Sequence, residues 1–283
     1  MERSLTLFLS CSLIASMGYG QASAPKKPFD CSNMHLRDSL ITKYIDNGAE
    51  KLQGYYNDPA WQLYCDSALA ICPDLASVYQ LKAVPYLKNG EYAKAFALDE
   101  KAAELDPKTF TSYLGFLKCI FTKDYEGALV DFKKAEELAP NGYEMDHTYP
   151  FYMGLCNLET GRYTRAKENF KKDIFIQTGG DTTKSIHFNT LFYVGILNYK
   201  MGNYKDAKAY LLKCLKVYEM FPEPNYWLAQ IYRKEKNRSM ETKYLTIARQ
   251  AIKQGYSMNE GNIFYVNYPY QITIFEIEAG LKE

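Results

Sequence analysis

One short pattern recurs three times in this sequence: NGEYAKA at 89–95, TGRYTRA at 160–166 and MGNYKDA at 201–207. Each copy has a glycine, a tyrosine two residues later and an alanine three residues after the tyrosine. Glycine can adopt the left-handed backbone conformation that ends one helix and turns the chain into the next. A small residue lies seven positions before each glycine, where it would let two helices approach closely. The pattern therefore predicts a series of helix–turn–helix units.

The spacing between units is nearly constant. A fourth copy, KDYEGA at 123–128, has Lys123 at the position of the turn glycine. In addition, Pro73, Pro107 and Pro140 are separated by 34 and 33 residues. Together these features resemble the tetratricopeptide repeat, a helix–turn–helix unit of about 34 residues. The resemblance assigns repeats to 76–109, 110–142, 147–180, 188–221 and 222–255, with a divergent candidate at 42–75.

Such a resemblance implies an all-α fold, an α-solenoid of about five to six repeats in which each repeat packs only on its neighbours. The predicted organisation is a signal peptide at 1–22, an N-terminal helical region with a divergent repeat at 23–75, the repeat array at 76–255 and a C-terminal capping segment at 256–283. The aromatic-rich tail is predicted either as a helix beginning at Pro269 or as a strand at 271–277, and the capping helix is preferred.

The first residues have the features of a secretory signal. Met1–Arg3 carries a positive charge, Leu5–Ala15 is mostly apolar, and small residues follow. Cleavage is expected after Gly20 or Ala22, which makes an exported protein of the periplasm. A buried N-terminal helix and a lipoprotein modified at Cys11 are the alternatives.

Six cysteines remain after such cleavage, and an oxidising compartment permits disulfides. Cys65 and Cys72, seven residues apart, would be too distant for a bridge if they shared a helix. We therefore expect Cys31 to pair with either Cys65 or Cys72, and the other cysteines to be small buried side chains.

The resemblance also implies that the first helices of the repeats line a concave groove. The residues expected to face a partner there are Leu87, Leu114, Phe121, Phe151, Leu155, Phe192, Ile196, Tyr199 and Tyr226. An exposed apolar surface of this size is typical of an interaction site. Two alternatives remain open: the C-terminal segment of the chain fills the groove, or the assumed register is shifted and these residues are core.

Composition and motifs exclude several classes of function. A formal net charge of +1 argues against general nucleic-acid binding, and no apolar run is long enough for a transmembrane segment. Three histidines, without metal-ligand spacing, predict neither a metal site nor a cofactor, and nucleophile and phosphate-loop motifs are absent. The sequence thus predicts a non-catalytic scaffold that binds another protein or peptide. A small-ligand or carbohydrate-binding protein that uses the aromatic groove is the alternative, and an enzyme with a dispersed site is a third.

Overall fold

A computed structural model describes residues 29–258 and 268–282. The predicted signal peptide lies outside these residues. The regular structure of the described residues is helical, and mostly α-helical, apart from one β-hairpin with two residues in each strand, which confirms the all-α prediction. None of its helices combines the length and the hydropathy that crossing a bilayer requires.

Five helix hairpins form the centre of the molecule, one for each repeat predicted between 76 and 255. The first helices of these hairpins are α3 (Ala76–Lys88), α5 (Pro107–Leu117), α7 (Tyr149–Glu159), α9 (Phe188–Lys200) and α11 (Pro222–Lys234). The second helices are α4 (Tyr92–Leu105), α6 (Tyr125–Leu138), α8 (Tyr163–Thr178), α10 (Tyr204–Val217) and α12 (Arg238–Lys253). A single apolar core runs through consecutive hairpins, as expected of a repeat array.

The turns form as the sequence predicts. Gly90, Gly161 and Gly202 have φ values of +76°, +73° and +79°, in the left-handed region that glycine adopts at little cost. In the repeat without this glycine, Lys123 takes the same conformation at φ +59°, after a π-helical turn at Lys118–Thr122. The π-helical turn and the left-handed lysine together let this shorter unit make the same change of direction.

Two shorter regions flank the array. The N-terminal region contains α1 (Met34–Leu40), a π-helical turn (Ile41–Asp46), a 3₁₀ turn (Ala49–Leu52) and α2 (Pro59–Ile71). Cys31 forms a disulfide with Cys72, so the structure selects one of the two expected pairings. Cys65 is instead a buried free thiol.

At the other end, α13 (Ile274–Lys282) packs against α11 and α12, where Ile277 joins Ala229 and Leu245 in a buried cluster. This tail segment is a helix rather than a strand, and it begins five residues after Pro269. The β-hairpin consists of β1 (Tyr143–Glu144) and β2 (His147–Thr148) and lies between α6 and α7.

Candidate functional site

The surface of interest is formed by the first helices α3, α5, α7, α9 and α11, and is called here the first-helix face. Its sequence is unusually apolar in the middle: residues 149–158 of α7 and 189–197 of α9 are all buried. Side chains that would face solvent in an open array are therefore covered. Part of that cover comes from the chain itself.

Residues 268–272, the C-terminal segment, lie on the first-helix face of α7, α9 and α11. The Tyr193 hydroxyl donates a hydrogen bond of 2.9 Å to the carbonyl oxygen of Pro269. The Trp227 indole nitrogen lies 3.5 Å from the carbonyl oxygen of Tyr270. The Tyr268 hydroxyl lies beside that of Tyr152, which donates a hydrogen bond of 3.2 Å to the carbonyl oxygen of Glu144. Three consecutive first helices thus contact three consecutive residues of the segment.

The ring of Tyr270 is enclosed on several sides. Its centroid lies 5.6 Å from that of Trp227 and 6.4 Å from that of Tyr193, and the Lys200 ammonium lies 5.1 Å above it. The Tyr270 hydroxyl lies beside the Glu159 carboxylate, which accepts a hydrogen bond of 3.4 Å from the Tyr125 hydroxyl. Burial raises the pKa of the Tyr270 hydroxyl, so it remains a donor at neutral pH. The name tyrosine recess is used below for the set Tyr152, Glu159, Tyr193, Lys200 and Trp227.

One buried carboxyl group contacts the chain on both sides of residues 259–267. Glu223, at the start of α11, accepts hydrogen bonds from the backbone N–H groups of Met258 and Ile272. Its side chain has no solvent exposure, and burial raises its pKa to about 7. Both described stretches on either side of residues 259–267 are therefore joined to the same side chain.

Beyond Tyr268 the first-helix face is open. A groove with a cavity volume of about 380 Å³ lies between α3, α5, the β-hairpin and the residues before α2. Its lining is mainly aromatic and aliphatic, with a few polar groups. The lining residues of this aromatic groove are Gln53, Tyr56, Val84, Leu87, Lys88, Tyr113, Phe116, Phe121, Met145, Asp146 and Tyr268.

The structure divides the nine residues predicted to contact a partner into three sets. Leu87 and Phe121 line the aromatic groove. Tyr199 and Tyr226 are half-buried, and the ring of each contacts that of Trp227. The other five, like Leu87 itself, are buried, but they do not line the groove: Leu114, Phe151, Leu155, Phe192 and Ile196.

For those five residues the expected exposure is corrected to burial. Phe151 is fully buried, with its ring centroid 3.8 Å from that of His147 and 5.6 Å from that of Tyr193. Phe192 packs on Phe221 at 5.5 Å. Leu114 lies on the other side of α5, where it lines a shallow cavity with residues of α4 and α6. The periodicity that identified apolar positions did not distinguish groove from inter-repeat core.

Two histidines that are far apart in sequence come together beside this face. The rings of His147 and His187 lie 4.7 Å apart at their centroids, and the His147 Nε2 lies 3.3 Å from the Asn189 amide nitrogen. Burial lowers the pKa of His147 to about 3, so this histidine is neutral at physiological pH. No group of three or more metal-ligating side chains occurs among residues 29–258 and 268–282.

Sequence reasoning missed the residues that hold the C-terminal segment, including Tyr193, Glu223 and Trp227. The only signal was the aromatic composition of the tail, which does not indicate where the tail packs. Pairings separated by 43 to 76 residues, as for Trp227 with Tyr270 and Tyr193 with Pro269, leave no local periodic trace.

Stacked helix hairpins, three of which turn at a glycine, with small residues at the hairpin contact, have the architecture of a tetratricopeptide-repeat array. Residues 194–219 match the family model described as tetratricopeptide repeat, which confirms the resemblance seen in the sequence. No curated protein sequence matches the chain at a significant level.

Solved structures show the same fold. A structure described as Pseudomonas aeruginosa PilF has a TM-score of 0.59 at 19% identity, with 81% of this chain and 97% of that chain covered. PilW, described as a widely conserved type IV pilus biogenesis factor, has a TM-score of 0.61 at 16% identity, with 82% and 99% covered. A chain of the Cut9–Hcn1 hetero-tetramer of APC/C has a TM-score of 0.59 at 14% identity, with 88% and 45% covered.

Proposed function

We propose that this protein is a non-catalytic protein–protein interaction scaffold of the cell envelope. It binds an apolar segment of a partner protein or peptide in the aromatic groove. The observation that carries this proposal is the open, ring-lined groove next to Tyr268 on the first-helix face, because two of the residues predicted to bind a partner, Leu87 and Phe121, line it.

The chemistry of the groove indicates the kind of segment that fits. Tyr113, Phe116 and Phe121 offer ring faces and edges for a large apolar side chain. Lys88 and Asp146 lie on the same lining, with opposite charges. The partner segment therefore has apolar anchors flanked by polar groups, as is typical of an interface with a dry centre and a polar rim.

Three observations support the location in the envelope. The N-terminal sequence has the pattern of a secretory signal. The Cys31–Cys72 disulfide is of the kind that persists in oxidising compartments. Of the similar structures, PilW is described as a pilus biogenesis factor. The chain is accordingly proposed to act in the periplasm.

Site-specific crosslinking in living cells tests the proposal. A photoreactive amino acid replaces Val84, a half-buried residue of the groove lining, and in a matched variant it replaces Val130, which is 66% exposed on α6 outside the groove. We expect a discrete crosslinked partner from position 84 and none from position 130. The partner should be lost when Phe121→Asp is added, because the charge destroys the apolar lining.

Circular dichroism of the purified Phe121→Asp variant provides the control for folding. Equal crosslinking at both positions, or crosslinking at position 84 that survives Phe121→Asp in a folded protein, contradicts the proposed groove.

A second candidate function is binding of a small ligand or carbohydrate. It is favoured by the ring-rich lining and by the groove volume of about 380 Å³, which falls in the range of small-molecule sites. Isothermal titration calorimetry with a panel of soluble sugars distinguishes the two candidates. Saturable heat that disappears in Phe121→Asp favours the ligand, whereas no heat together with a crosslinked protein favours the scaffold.

A further inference from the structure

The C-terminal segment contacts the first-helix face in the way that a bound peptide contacts its receptor. Side-chain donors of the array are directed to its main chain: the Tyr193 hydroxyl to the carbonyl of Pro269 and the Trp227 indole N–H towards the carbonyl of Tyr270. Proline has no N–H, so at this position the backbone presents only its carbonyl acceptor and needs only a donor partner. The rings on either side of the proline are enclosed separately.

We infer that residues 268–271 are an internal pseudo-ligand, and that the tyrosine recess recognises external segments with a tyrosine–proline–tyrosine sequence that compete for the same place. This inference rests on the proposed function and specifies the sequence class of its partner.

Selectivity for the second tyrosine follows from the polar groups around its ring. The Glu159 carboxylate lies beside the Tyr270 hydroxyl, and the Lys200 ammonium lies 5.1 Å above the ring. A phenylalanine here would leave no hydroxyl beside this carboxylate, whose Oε1 has no hydrogen-bond partner among the described residues. The first tyrosine places its hydroxyl beside that of Tyr152, which favours a polar ring at this position.

Continuity with the aromatic groove connects the recess to partner binding. Tyr268 both contacts Tyr152 in the recess and lines the groove beyond it. A partner segment that lies in the groove and continues along the first-helix face therefore reaches the position of Tyr268. Its tyrosine and proline would take over the contacts that the internal segment makes.

Fluorescence anisotropy with a labelled peptide tests this inference. The peptide Tyr-Pro-Tyr-Gln-Ile-Thr, with the sequence of residues 268–273, is titrated with the full chain carrying Tyr268→Ala and Tyr270→Ala. These substitutions remove the two rings from the recess and weaken its hold on the internal segment, while leaving its walls intact. We expect saturable binding at least tenfold tighter than to the wild-type chain, whose recess is already filled.

Matched variants then locate the binding. Adding Tyr193→Phe should weaken binding about fivefold through loss of one hydrogen bond. Tyr210→Phe, a half-buried tyrosine on α10 outside the recess, should leave binding unchanged. A peptide with phenylalanine as its third residue should also bind about fivefold more weakly.

A folded double variant that fails to bind the peptide overturns the inference, as does equal affinity for wild type and variant. If the double variant does not fold by circular dichroism, each single variant is titrated instead, under the same criteria. If the recess does not bind the peptide, the crosslink at position 84 is unaffected. If the groove proposal is wrong, that crosslink is absent while peptide binding to the recess remains.

Discussion

Asp99 and Asp173 are both buried, but only Asp173 has hydrogen-bond donors around it. Asp173 accepts from the Thr148 and Thr190 hydroxyls at 2.9 and 2.7 Å, and from the Gln177 amide at 2.7 Å. Among the described residues, neither carboxylate oxygen of Asp99 has a hydrogen-bond partner. Burial raises the pKa of Asp99 to about 8. A single side chain thus makes the first repeat electrostatically different from the others.

Replacement of Asp99 should stabilise the protein. The equivalent positions of the next three repeats hold Phe132, Phe170 and Leu211, all buried. We expect Asp99→Leu to raise the free energy of unfolding by about 1–3 kcal/mol at pH 7, because a buried carboxyl without partners is replaced by apolar packing. Urea unfolding followed by circular dichroism measures this change.

The pH dependence provides a second test of Asp99. Since the pKa is higher in the folded protein than the ordinary 3.8, the wild-type chain loses stability as pH rises from about 4 to about 8. Asp99→Asn should reduce this slope without adding apolar packing. An unchanged slope would show that Asp99 is not the group responsible.

At the scale of the helix hairpin, two kinds of glycine have different physical roles. Gly154 lies where α7 meets α8, and a Cβ there would be 2.8 Å from the Phe170 ring. Gly161, in the turn between these helices, has no atom within 4 Å of a Cβ, but its φ is +73°. Close packing requires the first glycine, and backbone conformation requires the second.

Rescue experiments distinguish the two roles. We expect Gly154→Ala to lower stability by about 1–3 kcal/mol through overpacking, and Gly161→Ala by about 1 kcal/mol through backbone strain. Phe170→Leu should partly relieve the first substitution and not the second in a double-mutant cycle. Asparagine, which tolerates the left-handed region, should be milder than alanine only at position 161. Thermal unfolding of the set measures these differences.

For the whole molecule, a disulfide closes the N-terminal region on itself, and apolar contacts hold that region against the array. The Cys31–Cys72 disulfide joins residues that are 41 positions apart in the sequence, and the loop it closes contains α1 and α2. A separate apolar cluster with Trp61 and Leu75 holds this region against Val78 of α3. In a repeat array such contacts act mainly on the nearest neighbour.

Loss of the disulfide should therefore act locally. We expect Cys31→Ser with Cys72→Ser to destabilise α2 by up to about 4 kcal/mol, the chain-entropy value for a loop of this length. Hydrogen exchange with mass spectrometry should show lost protection in α2 and unchanged protection in α9, which serves as the internal control. Equal loss in both helices would mean that the array unfolds as one cooperative unit.

Most of the fold was predictable from the sequence, because hairpin formation depends on local features. The glycine turns, the small residues at hairpin contacts and the period of about 34 residues lie within single repeats, so each copy carries its own signal. Local helix geometry also narrowed the expected disulfide partner of Cys31 to Cys65 or Cys72, because those two are too distant to pair with each other on one helix. The site was less predictable: of nine proposed contact residues, only Leu87 and Phe121 line the open groove.

The sequence alone predicts the hairpins between 76 and 255, their turns and a stack of about five to six repeats, since those properties depend on residues a few positions apart. Which part of the first-helix face is open follows instead from how the folded chain packs. The exposure depends on the path of the C-terminal segment, in which Pro269 lies 76 residues after Tyr193, the residue that binds it. It also depends on the rings of Tyr193 and Phe221, which pack on Phe151 and Phe192. Periodicity reports that a residue is apolar, whereas its exposure depends on which distant part of the chain packs over it.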